Sequence, residues 1–242
     1  MHYLSTIAFA WITSALPSAS AATVPLPNEP VLSFSKAFQL VAHVTNKSLD
    51  LTPSVERWFV YPSYFENHHV RRWTARLNPH TYIDKTDPYF AVGSQEEYAL
   101  GMSNISTQMQ IGTRHFDLLF AIDDPYDSNK RGVEYLTPGC LCEQQIALSG
   151  LLDPTSHAVP KDQFLACVGY STNMVRHIGL YNLDTSTNAT IPTDCVPVRI
   201  YPECLPSDEV RDEYKAKVDE APVVRCYQPG ADYSVFDDLP TL

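Results

Sequence analysis

Three strand-like runs between residues 164 and 204 decide how this 242-residue chain folds. They read FLAC at Phe164–Cys167, IGLYNL at Ile178–Leu183 and CVPVRIYPEC at Cys195–Cys204. In the second and third runs, apolar side chains recur at every second position, which is the period of a β-strand. Pro202 and Pro206 end the third run, because proline cannot donate a hydrogen bond to a neighbouring strand. The stretch therefore predicts three strands with cysteines at their ends.

The positions of these cysteines favour two disulfide bridges. Cys167 ends the first run and Cys195 begins the third, so a bridge between them would join two strand ends. It would close a loop of about 30 residues and contribute about 3.5 kcal/mol in the chain-entropy description of cross-links. The second pairing that we favour is Cys204–Cys226.

The rest of the chain predicts an all-β fold. Proline and aromatic residues are frequent, with 19 Pro, 14 Tyr and 10 Phe, and this composition favours strands and rigid loops. Further strands are predicted at Phe34–Val44, Arg57–Tyr61, His69–Leu77, Tyr89–Val92, Glu97–Leu100, Ile105–Ile111 and Phe116–Ile122. One helix is predicted to begin at Ser207 or Asp208 and to end before Pro222. Its apolar face comprises Val210, Tyr214 and Val218. About ten strands with one short C-terminal helix favour a disulfide-stapled β-sandwich, with a β-barrel as the alternative.

The N-terminus predicts export from the cell. Tyr3–Leu16 is mostly apolar and uncharged, Pro17 ends it, and Ala19–Ala21 has the A-x-A pattern of a cleavage site. The alternative, a membrane anchor, is disfavoured because the run is too short to span a bilayer. We therefore expect a signal peptide at 1–21, a Pro-rich spacer at 22–33 and a single secreted β domain at 34–242.

Cysteines and glycosylation signals agree with an extracellular location. Six cysteines suit an oxidising compartment, and Cys140 and Cys142 would be bridged either to each other or elsewhere. Asn46, Asn104 and Asn188 each begin an Asn-x-Ser/Thr signal, which predicts a glycoprotein.

The charge of the chain argues against nucleic acid as a partner. Lys and Arg number 17 against 28 Asp and Glu, so the formal net charge is −11. Phosphate groups would repel such a chain. We expect no nucleic-acid partner, and no membrane association once the signal peptide is removed.

The quoted runs resemble the C-terminal half of an uncharacterised family of small secreted proteins from ascomycete fungi. Members have a Phe-x-Ala-Cys strand, an aliphatic and aromatic strand, and a Val-rich strand between two cysteines. Residues 38–42 and 48–55 are similar to the family's N-terminal strand and loop. The resemblance covers residues 34–60 and 164–205, and the chain departs from the family between 61 and 163. It implies a secreted, cysteine-containing β domain, and it carries no activity over to this chain.

Two groups of polar residues could bind metal ions, and each has a simpler structural interpretation. The first group contains His68, His69, His80, Asp84 and Asp87. Adjacent residues of a strand point to opposite faces, so the two neighbouring histidines cannot easily share one ion. The second group, the acidic segment 123–129, has oxygen ligands for calcium but is typical of an ordinary turn. We predict no metal site and no cofactor.

Candidate catalytic groups are equally unspecific. A glycosidase needs two carboxylates a few ångströms apart, and the chain offers Glu56, Glu66, Glu96, Glu97 and Glu134 without showing that any pair meets. No Gly-x-Ser-x-Gly elbow of a serine hydrolase occurs. We therefore predict no catalytic residue.

Binding is the function that the sequence favours. Arg71, Arg72, Trp73 and Arg76 form a basic and aromatic segment in an otherwise acidic chain, so we expect a partner to be contacted there. A glycan or a cell-wall component would suit this segment. The prediction is a secreted, non-enzymatic protein that binds at the cell wall or in the host environment. The alternative is a secreted hydrolase acting on polysaccharide or ester.

Overall fold

The computed structural model describes residues 31–67, 70–79, 88–111, 114–122, 130–136, 144–146, 148–152, 164–170, 174–183 and 190–237. Among these residues, no helix is long and apolar enough to cross a lipid bilayer. The predicted signal peptide, most of the predicted spacer, Cys140, Cys142 and Asn188 lie outside the described residues.

The described part of the chain contains thirteen strands, three short α-helices and two 3-10 turns, Lys47–Leu49 and Ser234–Phe236. The strands are β1 (Leu32–Ser35), β2 (Phe38–Val44), β3 (Phe59–Asn67), β4 (Val70–Asn78), β5 (Tyr89–Val92), β6 (Asn104–Ile111), β7 (Arg114–Ile122), β8 (Lys130–Leu136), β9 (Gln144–Gln145), β10 (Phe164–Tyr170), β11 (Arg176–Leu183), β12 (Cys195–Cys204) and β13 (Val224–Tyr227). The helices are α1 (Gln95–Ala99), α2 (Leu148–Leu152) and α3 (Asp212–Glu220).

Six of these strands close into a barrel in which every neighbouring pair is antiparallel. The ring runs β2–β12–β10–β11–β4–β3 and returns to β2. Two pairings complete the closure, Gly179 with Arg76 and Val41 with Phe59. The predicted β-sandwich is therefore wrong, and the barrel named as its alternative describes the fold. The period-two pattern could not distinguish them, because strands of sandwiches and barrels both alternate between a core face and an outer face.

The remaining strands extend the barrel on two sides. Strands β5, β6, β7 and β8 lead from β2 back to β4, and β9 pairs with β7. On the other side, β13 runs parallel to β12, and β1 pairs with β13. Strand β1 begins at Leu32, inside the segment that the sequence predicted as spacer.

One hydrophobic core fills the barrel and continues beneath the added strands. Its members recur at every second position of the barrel strands, as the alternation predicted. They include Leu40 and Ala42 of β2, Ala75 and Leu77 of β4, Ala166 of β10, Leu180 of β11, and Val196, Val198 and Ile200 of β12. The intervening side chains of these strands point away from the core, and it is these that form the candidate sites below.

Two disulfide bridges staple the barrel, and they join the pairs that the sequence favoured. Cys167 and Cys195 are direct partners in the β10–β12 ladder, with Cα atoms 4.0 Å apart. Cys204 of β12 is bridged to Cys226 of β13, with Cα atoms 5.1 Å apart. Both bridges therefore secure β12, which pairs with three strands, β2, β10 and β13.

The helices differ from the prediction in two places. Glu97–Leu100, predicted as a strand, lies in α1 and its C-terminal end, because Ser94 and Glu97 form a reciprocal capping box that favours helix. The late helix α3 begins at Asp212 rather than at Ser207 or Asp208. Two residues of its predicted apolar face, Tyr214 and Val218, are buried on the helix, and Val210 is buried in the turn before it.

Candidate functional site

The outward faces of β2 and β12 carry polar side chains that are nevertheless buried. They include Gln39, His43 and Glu203, which alternate with core residues along these two strands. The cover is a C-terminal segment, residues 231–237, which we call the C-terminal strap. Chain topology places the strap here, because β13 runs alongside β12 and the strap follows directly after it.

His43 is held between two carboxylates, one on each side of its ring. Its Nδ1 lies 2.9 Å from Oε1 of Glu56, and its Nε2 lies 2.8 Å from Oδ1 of Asp237 in the strap. Both ring nitrogens therefore donate when the carboxylates are ionised, which requires the charged imidazolium. Burial is the largest influence on the His43 pKa and lowers it, but the hydrogen bonds and charges of the two carboxylates together raise it above its usual value.

Glu56 is a good partner for that cation. Its second oxygen, Oε2, accepts the backbone N–H of Val44 at 2.7 Å. Burial alone would raise the Glu56 pKa, but the bonds from His43 and Val44 outweigh burial, so the pKa is lowered. The pair is thus ionised on both sides at mildly acidic pH.

Glu203 is the most deeply buried acid of this region, with its side chain only 1% exposed. It accepts from the guanidinium of Arg57 at 2.7 Å and from the hydroxyl of Tyr233 at 2.8 Å. Arg57 also donates to the carbonyl of Ala231 at 2.9 Å, and its guanidinium lies 5.7 Å from the Tyr233 ring centroid. Burial first, and then the Glu203 charge, raise the pKa of Tyr233. These contacts fix the strap to β12.

An aromatic cluster lies beneath the strap. Tyr201 and Tyr233 stack with ring centroids 4.0 Å apart and planes inclined by 9°. Tyr227 and Phe236 complete the cluster through edge and stacked contacts. Burial raises the pKa of Tyr201 to about 12, and the charge of nearby Arg199 partly opposes that rise. The aromatic rings and the ion pairs therefore both hold the strap against the outward faces of β2 and β12.

The charges around this surface balance. We name the six ionisable residues His43, Glu56, Arg57, Arg199, Glu203 and Asp237 the His43 cluster. With His43 protonated, the cluster holds three positive and three negative charges. A general base needs a free ring nitrogen within reach of the proton it takes, and both nitrogens of His43 are occupied by carboxylates. The arrangement is suited to holding the strap, and it leaves no group positioned for proton transfer to a substrate.

A second polar surface lies on the outward faces of β3, β4 and β11. Arg76 alternates with the core residues Ala75 and Leu77, so it points outward from β4. Its partners in the neighbouring strands are Tyr61 and Gly179. Arg76 is half-buried, and its Nε–H has no hydrogen-bond partner within the described part of the chain.

Three side chains surround this arginine closely enough for its charge to act on them. Burial raises the pKa values of Tyr61 and Tyr181, and the Arg76 charge opposes the rise at both. Burial lowers the pKa of His177, and the Arg76 charge lowers it further. All three are therefore uncharged at neutral pH. We name Tyr61, Arg76, His177 and Tyr181 the Arg76 face.

Two glycines allow rings of the Arg76 face to lie against the sheet. A Cβ atom at Gly179 would stand 2.9 Å from Cε2 of Tyr181, and one at Gly169 would stand 2.7 Å from Nε2 of His177. Either contact is closer than packed atoms tolerate. Tyr181 also packs against the cluster formed by Leu165 and the Cys167–Cys195 bridge.

The structure separates two of the four predicted binding residues. Arg76 belongs to the outward surface just described. Trp73 lies on the opposite face of β4, packed against the main core and 5.0 Å from the ring of Tyr64. Arg71 and Arg72 are strand residues of β4, and their side chains lie outside the described part. Trp73 and Arg76 therefore cannot share one flat contact surface.

The other predicted sites fall mostly outside the described residues. This holds for His68, His69, His80, Asp84, Asp87 and the acidic segment 123–129. Among the residues that the structure does describe, no three His, Cys, Asp or Glu side chains are placed to hold a metal ion. Asn46 is exposed at the start of a 3-10 turn, where its Oδ1 accepts from Ser48, and Asn104 begins β6.

Sequence reasoning missed the His43 cluster because its members are far apart along the chain. His43 and Asp237 are separated by 194 positions. One local signal was available: Glu203 is an acid in a strand that is mostly apolar and in which every residue except Arg199 is buried. An acid at such a position needs a buried partner, and Arg57 supplies it.

Comparison with known proteins finds a distant fungal relative. The chain is 27% identical over 214 residues to the antigenic protein SchS34 of Stachybotrys chartarum, covering 84% of this chain and 90% of that protein. No protein-family model matches the chain, and no solved structure matches it. The chain is thus a distant homologue of a fungal antigenic protein, and that name states no biochemical role.

Proposed function

We propose that the protein is a secreted, non-enzymatic binding protein that acts at the cell wall or in the host environment. The observation that supports this proposal is the state of the His43 cluster. It brings six ionisable side chains together, yet every member is occupied by another member or by the strap. Chemistry that could serve catalysis is used to hold the fold together.

The alternative is a hydrolase that acts on polysaccharide or ester. Such an enzyme needs a cleft with paired carboxylates or a nucleophile bonded to a base. Glu56 and Asp237 do approach one histidine from both sides, but the imidazole ring lies between them and the strap closes over it. A glycosidase pair keeps the space between its carboxyl groups open for the sugar. The geometry therefore favours binding.

Export is part of the proposal. Two disulfide bridges are consistent with an extracellular protein, and the distant relative is a fungal antigen. We propose that the chain is cleaved after residue 21 or 22 and glycosylated at Asn46, Asn104 and Asn188. Mass spectrometry of the secreted protein tests this directly. A retained Met1 on protein recovered from inside the cell would contradict it.

Activity assays test the absence of catalysis. The purified protein is incubated with cell-wall polysaccharides and with chromogenic esters, alongside His43→Gln and Glu203→Gln variants. We expect no turnover by any of the three proteins. Turnover by the wild type that either variant abolishes would overturn the non-enzymatic proposal and assign catalysis to the His43 cluster.

A further inference from the structure

The Arg76 face has features of a ligand site that the His43 cluster lacks. A guanidinium has five N–H donors and is always charged, so a partly buried one is ordinarily matched by a carboxylate. The structure gives Arg76 no carboxylate within ion-pair distance in the described residues, and its buried Nε–H has no acceptor. Buried donors without partners are rare in folded proteins, and each one calls for an explanation such as a bound water or ion.

The neighbours of Arg76 indicate what kind of anion would fit. Tyr61 and Tyr181 flank the guanidinium with aromatic rings and hydroxyl groups, and both are only partly buried. Tyrosines present an apolar ring that can lie against a sugar and a hydroxyl that can bond to it. His177 lies on the same face and is uncharged, because burial and the Arg76 charge both lower its pKa.

We propose that the Arg76 face binds the carboxylate of one uronic acid within an otherwise neutral oligosaccharide. The inference rests on the proposed binding function and adds to it a site and a ligand class. Arg76 pairs with the carboxylate through two parallel hydrogen bonds, the geometry in which guanidinium and carboxylate match best. The rings of Tyr61 and Tyr181 contact the sugar on either side of that carboxylate.

The charge of the whole protein limits the ligand to a single acid. The chain carries a net charge of −11, so a polymer with a carboxylate on every sugar would be repelled by the protein as a whole. An acidic peptide meets the same repulsion and offers no ring to stack on the tyrosines. An isolated uronic acid among neutral sugars avoids both problems.

The test compares two ligands that differ only in the carboxylate. Calorimetric titration uses a tetrasaccharide with one glucuronic acid, and the same tetrasaccharide after reduction of its carboxyl group to an alcohol. We expect the wild type to bind the acid at least about tenfold more tightly, the difference that one bidentate charged pair supplies. Polygalacturonate and an aspartate-rich peptide serve as the dense polyanion and the acidic peptide.

Three variants locate the preference. Arg76→Gln removes the charge and should abolish the preference for the acid. Arg76→Lys keeps the charge but cannot form two parallel bonds, so it should keep only part of the preference. Arg225→Gln is the matched control, because it removes an exposed arginine from β13 and should leave binding unchanged. Thermal melting of each variant shows whether it folds.

Several results would overturn the inference. Equal affinity of the wild type for the acid and the alcohol removes the carboxylate from recognition, and so does a preference that survives in a folded Arg76→Gln protein. Tighter binding of polygalacturonate or of the acidic peptide would assign a different ligand. In each of these cases the protein still binds, so the proposed function stands; cleavage of the tetrasaccharide would instead overturn the proposed function.

Discussion

His43 and His177 both lie on outward faces of the same barrel, in β2 and β11, but their surroundings shift their pKa values in opposite directions. His43 sits between two carboxylates under the C-terminal strap, and its pKa is raised. His177 is half-buried beside Arg76, and its pKa is lowered by burial and by that positive charge. One surface pairs charges of both signs in direct contact. On the other, Arg76 has no described carboxylate as a direct partner, although the charge of Asp194 also acts on Tyr181.

The difference shows which polar surface stabilises the fold through contacts within the chain. Buried charges are tolerated when each has a partner, and the His43 cluster satisfies that condition within the chain. The Arg76 face does not satisfy it with described residues, and the proposed ligand would supply the missing partner. The two surfaces are also stabilised by different interactions. Ion pairs and stacked rings hold the strap over the His43 cluster, whereas the Arg76 face borders the Cys167–Cys195 bridge.

Removing that bridge should give the largest effect. The double variant Cys167→Ser, Cys195→Ser frees a loop of 28 residues in the unfolded chain, and we expect a loss of about 3.5 kcal/mol in the free energy of unfolding. Urea denaturation measures it. Because Tyr181 packs on the bridge, hydrogen exchange should rise in β11 more than in the strap.

Equal hydrogen exchange in β11 and in the strap would show that the two surfaces are not independently secured. A loss below about 1 kcal/mol would show that the β10–β12 ladder holds these strands without the bridge, contrary to the chain-entropy argument.

Breaking the central ion pair of the other surface should cost nearly as much. Glu203→Gln keeps the size of the side chain but leaves the Arg57 guanidinium without its carboxylate. Removing one partner of a buried pair costs about 3–5 kcal/mol, and we expect about 3 kcal/mol because the Arg57 side chain is 36% exposed. Melting temperature and urea denaturation measure the loss.

Glu213→Gln is the control for this variant, since it removes an exposed acid of α3 and should change stability by no more than about 0.5 kcal/mol. If the two variants lost the same small amount, the Glu203 pair would be no more important than a surface charge.

The sequence predicted these two surfaces unequally. It placed Arg76 in a strand from the local alternation, and it named Arg76 as a binding residue because the segment is basic and aromatic in an acidic chain. It also grouped Trp73 with Arg76, although an odd separation along β4 puts them on opposite faces. The His43 cluster was beyond local patterns, since it forms only when the strap reaches back across 194 positions.

The same limit explains the error in fold class. The alternation that the sequence shows in the third run is the alternation of core residues in β12, and both described disulfides were predicted correctly from the cysteine positions. Whether the strands form two sheets or one barrel depends on the pairing of β4 with β11 and of β2 with β3. These are contacts between distant segments, and no single strand's pattern encodes its partner.

Removing one hydroxyl tests the hold of the strap more finely. Tyr233→Phe deletes the donor to Glu203 while keeping the stacked ring, and a bond to a charged group is worth about 1.5–3 kcal/mol. Tyr227→Phe is the matched control, because it deletes a bond to the neutral carbonyl of Leu152 and should cost about 1 kcal/mol. Equal losses would remove the special role of Glu203.

The smallest effect, and the most specific one, is the pH dependence of the two histidines. The folded pKa of His43 is raised, so its stabilisation is complete below its ordinary value of 6.5 and is lost as pH rises through the folded pKa. The folded pKa of His177 is lowered, so folding excludes a proton that the unfolded chain binds, and stability falls as pH drops below 6.5.

Melting temperatures measured from pH 5 to pH 9 should therefore separate the two surfaces. His43→Gln should flatten the decline on the alkaline side, and His177→Gln should flatten the decline on the acidic side. Glu56 does not contribute between pH 5 and pH 9. Its pKa is lowered from 4.5 in the folded protein, so its stabilisation is lost only at more acidic pH. If both variants changed the same limb of the profile, the two histidines would share one environment, and the contrast between a paired surface and an open one would be wrong.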